Sequence, residues 1–137
     1  MHESLINEAY KVGMKGVVID ALVVKEDGKV LLVENLEGPD RFYHFPNAKV
    51  KKGETISQAI QRAVMNVAPI GIKSVLRYLG HYDIGDVRHL NFAVLANEPY
   101  AVEENKSISF AWLEFQEAVG YPVHDEAREM LDLYLKS

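Results

Sequence analysis

The chain has 137 residues, enough for one domain of ordinary size with a substantial hydrophobic core. Its 48% hydrophobic and 26% charged residues are typical of a soluble globular protein, and its net charge of -5 argues against a nucleic-acid polymer as partner. The absence of cysteine excludes disulfides, cysteine zinc sites and a thiol nucleophile. No apolar run approaches the ~20 residues that span a bilayer, and the first residues lack the pattern of a signal peptide. We therefore expect a cytoplasmic protein with no membrane partner.

The N-terminal part of the sequence predicts a short helix followed by a β-hairpin. Residues 1–12 form a helix or an arm, because Leu5, Ile6, Ala9 and Tyr10 recur at helical spacing. Two stretches rich in branched residues come next, with a turn between them that is typical of a hairpin. These stretches are GVVIDALVV and KVLLVEN, and the turn is EDG.

The helix after Gly53 is the best-marked element of the sequence. Thr55 and Gln58 have the spacing of a capping box, and Pro69 with Gly71 predicts the end of the helix. Six apolar side chains between these signals fall on one helical stripe. They are Ile56, Ala59, Ile60, Ala63, Val64 and Val67.

The C-terminal half predicts a second hairpin, a further strand and two helices. The strands of this hairpin are IKSVLRYLGHYD and RHLNFAVLANE, around the turn IGD. SISFAWLEF predicts another strand, QEAV a short helix, and HDEAREMLDLYLK a last helix with Asp125 as its cap. No internal repeat or linker divides residues 1–137, so we expect a single α+β domain with a mixed sheet between helices.

This order of elements, with a Gly-Glu loop before the strongest helix, resembles the Nudix hydrolase family. The signature of that family is G-x5-E-x7-R-E-U-x-E-E-x-G-U, where U is a bulky aliphatic residue. Glu54, Arg62 and Val64 fall in register with it, and SISFAWLEFQEAV is similar to a late segment of the family. The resemblance runs from about Gly13 to Leu135 and implies a Nudix-type α/β/α sandwich.

The sequence departs from the signature where the family binds magnesium. The first glycine is replaced by Ala48, and the second by Pro69. Three glutamates, which share one helix face at i, i+3 and i+4, are replaced by Ala63, Asn66 and Val67. Magnesium prefers oxygen ligands, among them carboxylates. We therefore expect ordinary pyrophosphohydrolase activity to be weak or absent.

The carboxylates and the arginine that remain allow two interpretations. By resemblance, Glu54, Arg62 and Glu104 are candidate catalytic residues, and Glu54, Glu103 and Glu104 are candidate magnesium ligands. Alternatively, Glu54 and Arg62 form an ion pair between loop and helix, and the two later glutamates belong to a solvated loop.

Five basic residues are candidates for binding a phosphate group. Lys49, Lys51 and Lys52 lie in the loop before the helix, where they attract an anion without metal or only keep the loop soluble. Arg77 and Arg88 lie on adjacent predicted strands, where they reach a phosphate or only point outward. The histidines show no metal-ligand spacing, so we expect most or all of them to be structural.

Three functions follow from these patterns. The first is a Nudix hydrolase with an altered magnesium site. The second is a non-catalytic sensor that binds a nucleotide or another small phosphate compound and needs no cofactor. The third is a protein-interaction module, for which the resemblance implies a homodimer.

Overall fold

The computed structural model describes residues 4–35, 43–66, 70–97, 108–119 and 125–135. Within these ranges the chain forms four helices and seven strands. In chain order they are α1 (Ser4–Lys11), β1 (Gly16–Val24), β2 (Val30–Asn35), β3 (Tyr43–His44), β4 (Asn47–Lys49), α2 (Ile56–Met65), β5 (Ile72–Ile84), β6 (Val87–Ala96), β7 (Ile108–Leu113), α3 (Phe115–Val119) and α4 (Asp125–Leu135).

The seven strands of the described residues form one mixed sheet. Its central path is β3-β2-β1-β6-β5, with β4 paired to β1 and β7 paired to β2. The hairpins β1–β2 and β5–β6 are antiparallel, as the turn signals predicted. β1 and β6 run parallel along the whole of β1, from Gly16 opposite Val87 to Val24 opposite Leu95. This pairing joins the two halves of the chain and makes β1 a central strand.

Helices cover both faces of the sheet, and β1 contributes to the core on each side. Val17 and Ile19 face α1 and α2, whereas Leu22 and Val24 face α3 and α4, because successive strand residues alternate between the faces. All four of these β1 side chains are buried. This layering confirms the predicted α/β/α sandwich. Among the described helices, none is long and apolar enough to cross a membrane.

Three local expectations differ from the structure. The loop before α2 contains the short strand β4, whose Ala48 pairs with Ile19 of β1. Asp125 is the first residue of α4 and not a cap before it. Tyr10 is 48% exposed, because Ala9, which is fully buried, sets the direction of the packed face and Tyr10 lies about 100° further around α1.

Candidate functional site

The start of α2 is fixed by the capping box that the sequence predicted. The Thr55 hydroxyl accepts a hydrogen bond from the backbone N–H of Gln58 at 3.1 Å. In return, the Gln58 side chain accepts a hydrogen bond from the backbone N–H of Thr55 at 2.9 Å. Because both donors are satisfied, α2 begins at Ile56 directly after its cap Thr55, which places the Glu54 carboxylate just before the N-terminal end of the helix.

Glu54 and Arg62 form a bidentate ion pair across the first two turns of α2. Arg62 Nε donates to Oε2 of Glu54 and Nη2 donates to Oε1, each at 2.9 Å. The backbone N–H of Lys51 also donates to Oε1 at 3.0 Å, and Arg62 Nη2 donates to the carbonyl oxygen of Lys49. One arginine and one glutamate thus join β4, the turn after it and α2.

The ion pair sets the charge state of Glu54. The hydrogen bonds from Arg62, together with the weaker effect of the bond from Lys51, lower the pKa of this carboxyl from 4.5 to about 2, against the opposing effect of burial. The same contact raises the pKa of Arg62. The Glu54 side chain is only 12% exposed, and both of its oxygens accept hydrogen bonds from the protein itself. This arrangement is that of a structural ion pair between loop and helix.

The face of α2 where the Nudix signature has glutamates does not fit a magnesium ion. Ala63 is completely buried and Asn66 is exposed, while Val67 lies outside the described residues. In the ranges that the structure describes, no three acidic, histidine or cysteine side chains are placed to hold a metal. The candidates Glu103 and Glu104 also lie outside those ranges. Residues Ile56–Met65 of α2 therefore offer magnesium no carboxylate, and Glu54, which precedes the helix, is bound to Arg62.

The three candidate lysines point to different places. The amine of Lys49 lies 3.8 Å from the position that a Cβ would take on Gly16, so this side chain runs along the start of β1. Lys51 and Lys52 instead line a pocket beside α1. The structure therefore does not bring the three lysines together around one phosphate.

The candidate arginines on the strands lie on opposite faces of the sheet. Arg77 of β5 donates to the carbonyl oxygen of Tyr134 at 2.9 Å and lies over the ring of that residue in α4. Arg88 of β6 is on the side of Phe92, which faces α2. Its guanidinium makes two hydrogen bonds to Asp83, at 2.8 Å and 3.1 Å. These two arginines do not converge on one ligand.

A polar cluster that the sequence interpretation missed lies on the face toward α3 and α4. Asp20 of β1 is 5% exposed, and its Oδ2 accepts a hydrogen bond from the Tyr82 hydroxyl at 3.1 Å. Nδ1 of His89 lies 3.0 Å from the same oxygen, and the rings of Tyr82 and His89 stack at 4.7 Å. Asn91, also buried, donates to the carbonyl oxygens of Gly80 and His89. The signal in the sequence was a single aspartate inside the apolar run GVVIDALVV.

Solved structures of Nudix hydrolases and MutT proteins share this fold. A MutT structure from a study of the Aliivibrio salmonicida and Vibrio cholerae proteins is similar to it, with a TM-score of 0.73 and 15% identity over 85% of this chain and 95% of that one. A Nudix hydrolase from Nitrosomonas europaea is similar with a TM-score of 0.65 and 19% identity, over 88% of each chain. A C. elegans Ap4A hydrolase is similar with a TM-score of 0.67 and 19% identity, over 88% of this chain and 96% of that one.

No family model and no curated protein sequence matches the chain. At identities of 15% to 19%, what the structural likeness establishes is the fold. The chain thus has the Nudix fold.

Proposed function

We propose that this protein uses the Nudix fold to bind a small phosphate-containing compound and does not hydrolyse it with magnesium at ordinary enzyme rates. The observation that carries the proposal is Ala63. Its side chain has 0% exposure, on a helix that contacts β1 and β4, at the position where the signature has a glutamate. A methyl group there supplies neither charge nor an oxygen ligand.

The chemistry of pyrophosphate hydrolysis explains why this loss is decisive. The substrate and the leaving group are anionic, so a metal ion has to neutralise charge and generate the attacking hydroxide. Glu54 is already engaged by Arg62, and the amide of Asn66 brings no charge. A magnesium ion recruited by Glu103 or Glu104 would depend on residues outside α2, without the fixed geometry that one helix face provides.

Binding of a phosphate compound is supported by two lysines whose charge is not cancelled by the glutamate beside them. Lys51 and Lys52 are exposed at the pocket beside α1, and Glu54 at the same pocket is neutralised by Arg62. Lysine is a flexible point charge that attracts phosphate without a metal ion.

The binding part of the proposal is tested by melting temperatures in EDTA. We expect a nucleotide to raise the melting temperature of the wild-type protein, because ligands that bind the folded state stabilise it. The rise should shrink in Lys51→Ala/Lys52→Ala and persist in Lys29→Ala, which removes a lysine from the hairpin at the far end of β1. An equal rise in all three proteins would contradict phosphate binding by these lysines.

The catalytic part is tested by turnover with magnesium or manganese. Nucleoside triphosphates, nucleotide sugars, ADP-ribose, dinucleoside polyphosphates and NADH form the substrate panel. We expect no turnover near ~1 per second, the low end of ordinary enzyme rates. Turnover at that rate which disappears in Glu104→Gln or Glu103→Gln would replace the proposal with a hydrolase whose magnesium is held outside the helix.

A further inference from the structure

A pocket lies between α1 and the turn that precedes α2, on the outer side of that turn. It has a volume of about 380 Å³ and is lined by Ile6 and Tyr10 of α1 and by residues 50–54. Ligand pockets in proteins have volumes of roughly 300–1,000 Å³, so this one fits a compound no larger than a mononucleotide.

One side of the pocket is apolar. Ile6 is half-buried against the core cluster under α2, and Val50 is 8% exposed in the same cluster. Tyr10, on the same helix as Ile6, keeps 48% of its surface exposed. An aromatic or aliphatic group in the pocket would cover the tyrosine ring and bring these apolar surfaces out of water.

The other side of the pocket is positive. Lys51 and Lys52 contribute two cations, and the charge of Glu54 is balanced by Arg62. Glu8 is also on α1, but its charge acts on Tyr78 and Arg88, over the sheet. A local charge of this sign contrasts with the net charge of -5 of the whole chain.

We propose that this pocket binds an amphipathic anion, meaning a small compound with a phosphate group joined to an aromatic or aliphatic group. This inference rests on the proposed binding function and assigns it a place and a ligand class. The lysines attract the anionic group at the mouth, where solvent screens the attraction. The apolar group supplies the remaining affinity against Tyr10, Ile6 and Val50, so inorganic phosphate alone binds weakly.

The test is a titration of the full, ¹⁵N-labelled chain in EDTA, followed by amide NMR spectra. Phenyl phosphate, inorganic phosphate and phenol are the three probes. We expect phenyl phosphate to shift the amides of Ile6, Tyr10 and residues 50–54 in a saturable manner. Its dissociation constant should be at least about tenfold lower than that of either other probe, since each supplies only half of the contacts.

Matched variants separate the two halves of the pocket. Tyr10→Ser and Lys51→Ala/Lys52→Ala should each weaken phenyl phosphate about tenfold, whereas Val12→Ser and Lys29→Ala should leave its affinity unchanged. Val12 is a suitable control because it is 62% exposed and adjoins α1 without lining the pocket. If Tyr10→Ser binds phenyl phosphate as tightly as the wild type does, the proposed apolar contact with Tyr10 is wrong. If the wild type binds phenol as tightly as phenyl phosphate, the proposed attraction of the phosphate group by the lysines is wrong.

Two outcomes distinguish this inference from the proposed function. If phosphate compounds bind but shift amides elsewhere on the sheet, the pocket is wrong and the binding function stands. If phosphorus NMR detects magnesium-dependent hydrolysis of the substrate panel, the proposed function fails, regardless of which amides shift on ligand binding. Absence of any saturable shift with phenyl phosphate would overturn the pocket.

Discussion

Ala63 is the residue at which the structure and the expected chemistry of the Nudix signature diverge most clearly. In the signature this position carries a carboxylate, and here the side chain is fully buried on a helix that contacts β1 and β4. Val64, which follows it in register with the signature, is buried as well. The replaced position is thus closed to solvent and does not line an open acidic cleft.

Ala63→Glu should destabilise the protein by roughly 3 kcal/mol, because it introduces an unpaired charge at a buried position. Urea unfolding measures the change. Gln61→Glu is the matched control, since it adds the same charge to an exposed position of α2 and should change stability by less than about 0.5 kcal/mol. Equal midpoints for Ala63→Glu and the wild type would show that this position opens to solvent.

The Glu54–Arg62 pair gives a second prediction at the scale of single residues. Because the two side chains share two hydrogen bonds, Glu54→Ala and Arg62→Ala each remove the same contacts. The double variant should therefore lose less stability than the sum of the two single variants. A double-mutant cycle of urea midpoints checks this, and strict additivity would contradict a direct interaction.

At the scale of elements, β1 determines where the Glu54–Arg62 ion pair and the polar cluster around Asp20 lie. Its first half pairs with β4, which brings the turn before α2 against the sheet, and its full length pairs with β6. Through Asp20 it also contacts a tyrosine of β5 and a histidine of β6. The buried carboxylate of Asp20 thus links β1 to both strands of the β5–β6 hairpin through polar contacts.

Asp20→Ala should destabilise the fold by roughly 1–3 kcal/mol, because the Tyr82 hydroxyl and the His89 ring lose their acceptor in a partly buried site. Asp20→Asn keeps an oxygen acceptor and should lose less. Asp86→Ala is the control for charge, since Asp86 is 57% exposed and its contact with Lys15 is a surface pair. Thermal unfolding measures the stability of the three variants. If Asp86→Ala loses as much stability as Asp20→Ala, the polar cluster contributes no more to stability than a surface ion pair does.

The elements themselves were largely predictable from the sequence. The Thr55–Gln58 capping box and the turns of both hairpins act over a few residues, so local patterns suffice to place them. The short strand β4 was not predicted, because three residues carry no period that separates a strand from a loop. It forms through its pairing with β1, which is a contact of distant segments.

For the whole molecule, the low pKa of Glu54 predicts a loss of stability in acid. The folded-state pKa is about 2 and the ordinary value is 4.5, so the ionised pair stabilises the fold above the ordinary value. This contribution is lost as the pH falls from 4.5 toward about 2. Asp83, whose pKa Arg88 lowers, adds a change of the same sign.

We expect Glu54→Gln to be less stable than the wild type near neutral pH and to lose less stability on acidification. Urea midpoints are measured for both proteins from about pH 7 to about pH 3. The slope of stability against pH is then compared between Glu54→Gln and the wild type, because linkage relates this slope to the protons that the protein takes up on unfolding. Asp86→Asn is the control, because it removes an acid that is 57% exposed and whose contact with Lys15 is a surface pair. Parallel slopes for Glu54→Gln and the wild type would contradict the ionised pair as a source of acid sensitivity.

The sequence by itself determined the order of the elements apart from β4, a mixed sheet between helices, and the absence of carboxylates at positions 63, 66 and 67. These are properties of composition and local period, which act over the few residues of one turn or strand. Only the tertiary structure decided which distant groups meet. It separated Arg77 from Arg88 on opposite faces of the sheet, and it placed His89 beside Asp20. The contact of His89 with Asp20 depends on the parallel pairing of β1 with β6, and no local pattern encodes a pairing between segments so far apart in the chain.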